Sequence, residues 1–233
     1  MKIYEYKNAK NKANEKSSAK TELTAAGKCG MLMAVSQKEK EKVSKIEWKG
    51  GALLAPVPPV LVTCGSMEKP NIMTVGWTGI LNTKPPKTYI SVRPERYSHA
   101  LIVESGEFVI NLTTEKLVRQ TDFCGVRSGK TVDKFKICDL HAEPSANLSC
   151  PSLAESPLSL ECRVTDRISL GSHDMFMADI VGITVDEELI DADGKLHLDK
   201  CGLLAYAHGE YFALGKKLGS FGYSVRKKKK VHR

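Results

Sequence analysis

The chain has 233 residues, of which 42% are apolar and 27% charged, and it carries a formal net charge of +8. Twelve lysines against six acids in residues 1–50, and six cations in Arg226–Arg233, leave residues 51–225 at −4, so the basic excess lies at the two ends and argues against a specific nucleic-acid reader. No stretch reaches the ~18 consecutive apolar residues that a membrane span needs, and the run Gly30–Val35 is short and followed by charges instead of a cleavage site, so we read the protein as cytoplasmic and not membrane-bound.

In chain order, residues 1–45 form a polar, basic extension without sustained periodicity, expected to be mobile. Residues 46–225 form one domain, and 226–233 a basic tail. Within the domain, short apolar runs alternate with turn signals. The strands expected are Val60–Cys64, 71–80, 87–93, Glu107–Leu112, Leu158–Val164, Met175–Val185 and His208–Leu214. Two helices interrupt them, at about 95–105 and 114–123. Pro94 suits the first helical position and Gly106 the stop. Asp191–Gly194 reads as a hairpin turn, being too short for a calcium loop. No repeat and no alternation of strand and helix is present.

The segment Asn71–Ser98 carries the most chemistry. Gly76, Thr78 and Gly79 remove side-chain bulk from a strand, so a planar heterocycle can lie against bare peptide groups between Thr74, Val75, Gly76, Trp77 and Thr78. Downstream, Ser91, Arg93, Arg96 and Ser98 gather two hydroxyls and two forked cations at a helix entrance, a set suited to a phosphate. Arg96 would oppose the helix dipole, at about 0.3–1 kcal/mol, until an anion binds. A solvated surface arginine offset by Glu95 is the alternative for either cation alone. Trp77 either covers such a ring or packs in the core.

Gly125–Thr131 resembles a nucleotide-triphosphate loop but is one residue short and follows a helix instead of a strand. Seven scattered cysteines without a C-x-x-C pair suit reduced thiols instead of a disulfide framework or a zinc site. Cys124, at a helix C-terminus, is read as structural or as a neighbour of the ligand, since that position raises a thiol pKa.

Trp48–Gly51, Pro56–Val60, Pro70–Trp77, Ser91–Arg93, Gly106–Leu112, Cys124–Gly125, Ser128–Gly129, Asp133–Phe135, Gly171–His173 and Gly209–Phe212 occur in an order and spacing that resemble the flavin reductase-like proteins with an FMN-binding split barrel, in particular the flavoredoxin branch. The resemblance implies a mainly β fold, a Greek-key antiparallel split barrel with a few short helices. It also implies non-covalent FMN and a homodimer with the flavin near the subunit interface. It adds Asn111, Ser128 and Lys134 to the cofactor-binding set, the loop at Ser128 being contributed across the dimer, and places His173 where substrate meets the ring; a histidine that merely closes a turn is the alternative. Tyr206 and Tyr211 line the open face of the ring or pack against the barrel. The function expected is reductase-type: hydride or electrons pass from NAD(P)H through FMN to a flavin, metal or protein acceptor. The alternative is a flavoredoxin-like carrier that exchanges electrons with a redox protein and has no nicotinamide step.

Overall fold

The computed structural model describes residues 44–226, so the extension over 1–45 lies almost wholly outside the described residues, as does the tail after Arg226. The chain divides after Lys49, and the barrel belongs to the unit that begins at Gly50.

Seven strands build the main sheet: β1 (Val60–Gly65), β2 (Pro70–Val75), β3 (Thr78–Thr83), β4 (Pro86–Val92), β5 (Glu107–Asn111), then, after two short strands β6 (Ala142–Glu143) and β7 (Ser152–Leu153), β8 (Leu158–Ser169) and β9 (Asp174–Val185). Their order is β2-β1-β5-β8-β9-β4-β3, all antiparallel. The two outer strands, β2 and β3, are consecutive in the chain. The sheet therefore curls until its ends approach, and the split lies between them.

That topology explains the one broken strand. Residues 71–80 are not continuous, because Val60–Gly65 pairs with the first half and β4 with the second, at opposite edges of the sheet. The chain turns the corner at Gly76 and Trp77, and Ser91 donates its backbone N–H to the Trp77 carbonyl (2.9 Å), which extends the β3–β4 ladder up to the corner.

Alternation sorts β1 into two cores. Val60, Val62 and Cys64 face the barrel interior with Met73, Val75, Ile90, Phe108 and Phe176. Leu61 faces outward, with Ile72, onto Leu117, Cys124 and Phe135. Burial on both faces is why this strand reads as an unbroken apolar run.

Three helices complete the unit: α1 (Tyr97–Ser105), α2 (Val118–Val126), entered through a 3-10 turn at Glu115–Leu117, and α3 (Lys134–Cys138). Pro94 is not the first helical residue; Arg96 is the N-cap, extended at φ −72° and ψ 134°, and Pro94 lies in the preceding turn. Gly106 does stop α1, at φ 68°, with its N–H on the Ile102 carbonyl. Near the C-terminus, β10 (Leu204–Ala207) and β11 (Glu210–Ala213) form a hairpin about His208 and Gly209, both at positive φ. Tyr206 pairs with Val57 through both backbone bonds, which fastens this hairpin beside the seam.

Candidate functional site

A cavity of about 340 Å³ opens at the seam between β2 and β4. Its floor is apolar, from Val57, Pro59 and Met73, and Tyr206 and Tyr211 stand at one side with rings 5.2 Å apart. The free edge of β2 forms a wall. Lys134 Nζ donates to the Ile72 carbonyl (2.8 Å), so the main-chain groups of Ile72 point away from β1. By the two-residue period of an antiparallel ladder, those of Thr74 do likewise, leaving a peptide N–H and C=O directed at the cavity. The Thr74 hydroxyl is held on the Thr121 carbonyl of α2, which fixes the strand edge against that helix.

Trp77 is 47% exposed, which removes the core alternative. Its indole lies against the His173 imidazole, with centroids 4.4 Å apart and planes tilted by 39°. His173 follows Gly171, at φ 96°, in the turn joining β8 to β9, and its Nδ1 is 2.9 Å from Ser172 Oγ. Burial, and next the Arg93 guanidinium, push its pKa down, so the ring is neutral near pH 7. The two rings form the rim of the cavity.

A second cavity, of about 490 Å³, shares Met73, Arg93 and Arg96 with the first. Arg127, Ser128, Gly129 and Lys134 line its far side, and Glu95 is its one acid. Arg93 pairs with Glu95 at 3.5 Å while its side chain stays half exposed. Arg96 gives one donor to the Gly125 carbonyl (3.0 Å) at the C-terminal end of α2, where a cation is favoured, and this offsets its position at the N-cap of α1. The fork keeps further donors for an anion. Gly129 lets the loop approach closely: a Cβ there would sit 1.9 Å from Asn71 Oδ1, so that amide would have to move. Asn71 in turn donates to Ser98 Oγ (2.6 Å), so Ser98 is buried beneath this cavity.

Of the expected site residues, Thr74, Val75, Gly76, Trp77, Ser91, Arg93, Arg96 and His173 line the first cavity. Ser98, Ser128 and Lys134 line the second. Within one chain, the Ser128 loop lines the second cavity together with Arg93 and Arg96. Lys134 is buried, its pKa is lowered by that burial, and Nζ spans the carbonyls of Ile72 and Cys124. It ties α3 to β2 and α2. Two residues fall outside both cavities. The Thr78 hydroxyl is used on the Tyr89 carbonyl (2.6 Å). Asn111 is fully buried, its amide donating to the Leu61 carbonyl and Thr63 Oγ1 while its oxygen accepts from Leu153 N and Ser159 Oγ, so no group is left for a ligand. Sequence reasoning passed over Arg127, a third guanidinium whose signal was its place beside Ser128 and Gly129. Burial, and next Cys138, raise the Cys124 thiol to about 12, so it is not a nucleophile. Among the described residues no group of three or more His, Cys, Asp or Glu is placed to hold a metal, and no helix is long and apolar enough to cross a membrane.

An apolar floor, an exposed peptide edge and an unbalanced cluster of arginines thus meet at the seam of a split barrel. Residues 51–215 match the model of the flavin reductase like domain, and the chain belongs to that family. Flavoredoxin of Desulfovibrio vulgaris (Miyazaki F) superposes with a TM-score of 0.73 at 29% identity, covering 78% of this chain and all of that one. A protein of Archaeoglobus fulgidus is 31% identical over 159 residues, 68% of this chain and 88% of its own length. An NADPH-flavin oxidoreductase of Streptomyces viridifaciens is 26% identical over 155 residues, 65% of this chain and 79% of that protein.

Proposed function

We propose that the joined cavities hold FMN and that the protein passes hydride or electrons from NAD(P)H through FMN to a flavin, metal or protein acceptor. The observation that carries this reading is the continuity of a ring-sized cavity having a peptide edge with a cavity bearing Arg93, Arg96 and Arg127. The donor set fits the cofactor: three guanidinium forks against one carboxylate suit a phosphate dianion, and Met73, Val57 and Pro59 suit a flat ring system.

When bound, FMN would supply two-electron redox chemistry at its ring. The chain's own groups position and exclude. Arg93, Arg96 and Arg127 would hold the phosphate, the Thr74 peptide group would hydrogen-bond the ring edge, and Trp77 with neutral His173 would border the open face. No side chain needs to act as acid or base.

A flavoredoxin-like carrier is the second reading, favoured by the half-exposed Trp77 at the rim, where a partner protein can approach the ring. A homodimer, which the family resemblance implies, is proposed with either reading. Six free cysteines among the described residues support a cytoplasmic location. Anaerobic mixing of the yellow protein with NADH or NADPH separates the two readings. Bleaching within seconds is expected; colour that persists with both nucleotides overturns the reductase and leaves the carrier.

A further inference from the structure

Cys124 and Cys138 lie on two helices that pack on each other. Cys124 belongs to the outer core with Leu117, Phe135 and Leu140, and Cys138, the last residue of α3, packs against that cluster. The Cys124 S–H donates to the Cys138 sulfur, so the two thiols are within hydrogen-bonding reach of each other. Cys124 is 1% exposed, whereas Cys138 is half-buried and lines an open cleft of about 770 Å³ along the outer face of α2. A small oxidant can therefore reach Cys138, while Cys64, Cys150 and Cys162 are buried.

The pair also brackets one edge of the flavin site. Residues 125–137 carry Arg127, Ser128, Gly129 and Lys134, which line the second cavity. The Gly125 carbonyl, next to Cys124, seats the Arg96 guanidinium (3.0 Å), and the Cys124 carbonyl holds Lys134 Nζ (2.9 Å). A disulfide is shorter than a hydrogen bond between thiols, so closing one here draws Cys124 toward Cys138 and shifts the seats of both cations.

We propose that Cys124 and Cys138 form a reversible dithiol–disulfide couple, oxidised by hydrogen peroxide, whose closure weakens the hold on the FMN phosphate. The Cys138 thiolate attacks one peroxide oxygen, the O–O bond breaks, and the other oxygen leaves as water, so Cys138 becomes a sulfenic acid. The Cys124 sulfur then displaces the sulfenic hydroxyl. Cys124 keeps its proton until this step and passes it to that hydroxyl, which leaves as a second water. The two thiols lose two electrons and the peroxide gains them. Burial keeps the Cys138 thiol above its ordinary value, so thiolate is scarce and the couple closes slowly. The effect on FMN rests on the flavin reading; the disulfide does not.

The FMN-loaded full chain is treated with hydrogen peroxide, its remaining thiols are blocked with N-ethylmaleimide, and digestion with trypsin and a Glu-specific protease precedes mass spectrometry. That digestion leaves Cys124 in residues 120–127 and Cys138 in residues 137–143, apart from Cys150 and Cys162. A linked pair of these two peptides is expected, with an FMN dissociation constant about tenfold higher, and dithiothreitol should reverse both. Cys138→Ser should bind FMN as the native chain does and lose the response to peroxide. Absence of the link, or a link from Cys138 to another thiol, overturns the couple. A link that leaves FMN affinity unchanged overturns its control of the phosphate contacts. If Arg127→Ala also leaves that affinity unchanged, the phosphate reading has failed as well, and the linked peptides alone decide the couple.

Discussion

Arg93 and Arg96 share a cavity wall but are held differently. Arg93 has one long contact to an exposed carboxylate, which contributes little in water. Arg96 also closes off a carbonyl at the end of α2, so its removal costs a helix terminus a partner as well as a phosphate contact. Each charge-assisted bond to a phosphate is worth about 1.5–3 kcal/mol. Replacing both by Ala should weaken FMN binding at least about a hundredfold, and Arg93→Ala alone about tenfold, read by fluorescence titration. Unchanged affinity in the double variant would remove the phosphate role. These two were legible in the sequence because they sit three residues apart next to Ser91 and Ser98. Arg127 was not, because 31 residues of chain separate it from Arg96 and only the packing of α2 against β2 brings them together. Asn111 shows the opposite error: a buried polar residue in a matching segment invited a ligand, yet neighbouring strands and Leu153 take up its amide.

Elements with strong local signals were readable: β1 by its apolar run, α1 by its glycine stop, and β9 over nearly its whole length, whereas β8 runs five residues past the expected end at Val164, to Ser169. What escaped was set by tertiary pairing. The corner at Gly76 and Trp77 looks like strand, because its residues favour strand locally, and breaks only since β1 and β4 lie at opposite sides of the seam. Helix α3 has five residues, too few for a period, although Asp133 caps it by accepting from Lys136 N (3.1 Å). Helix α1 links fold to site. Ile102 is its fully buried apolar anchor in the barrel core, whereas its first turn follows Arg96. Truncating Ile102 to Ala leaves a cavity and should cost about 2–5 kcal/mol in urea unfolding. Because the helix then sits loosely, FMN affinity should fall although no ligand contact has been removed. A variant that loses stability but holds FMN as tightly as before would show that α1 does not need this anchor to aim Arg96.

At the scale of the whole molecule, the open seam is held from both ends. Next to His173, Asp174 begins β9 and meets His99 of α1, Oδ2 to Nε2 at 2.9 Å, with Arg167 Nε at 3.9 Å. This pair bolts the helix that follows Arg96 to the strand that follows His173, so the phosphate end and the ring end of the site share one fastening. The hydrogen bond from His99 is the leading cause that holds the Asp174 carboxyl below its ordinary value of 3.8. A carboxyl with a lowered pKa in the folded state binds its proton more weakly there than in the unfolded chain, so acid favours unfolding. Its contribution is complete above the unfolded value and disappears as pH falls through the folded one, below 3.8. Asp174→Asn imitates the protonated form at every pH. The Tm of the native chain should therefore exceed that of the variant by a constant margin at neutral pH, and the margin should close as pH is lowered through and below about 4, measured by calorimetry on both proteins in the same buffers. A gap that stays constant down to the acid limit would mean that Asp174 stabilises the barrel without its charge, and that the bolt between α1 and β9 is packing alone.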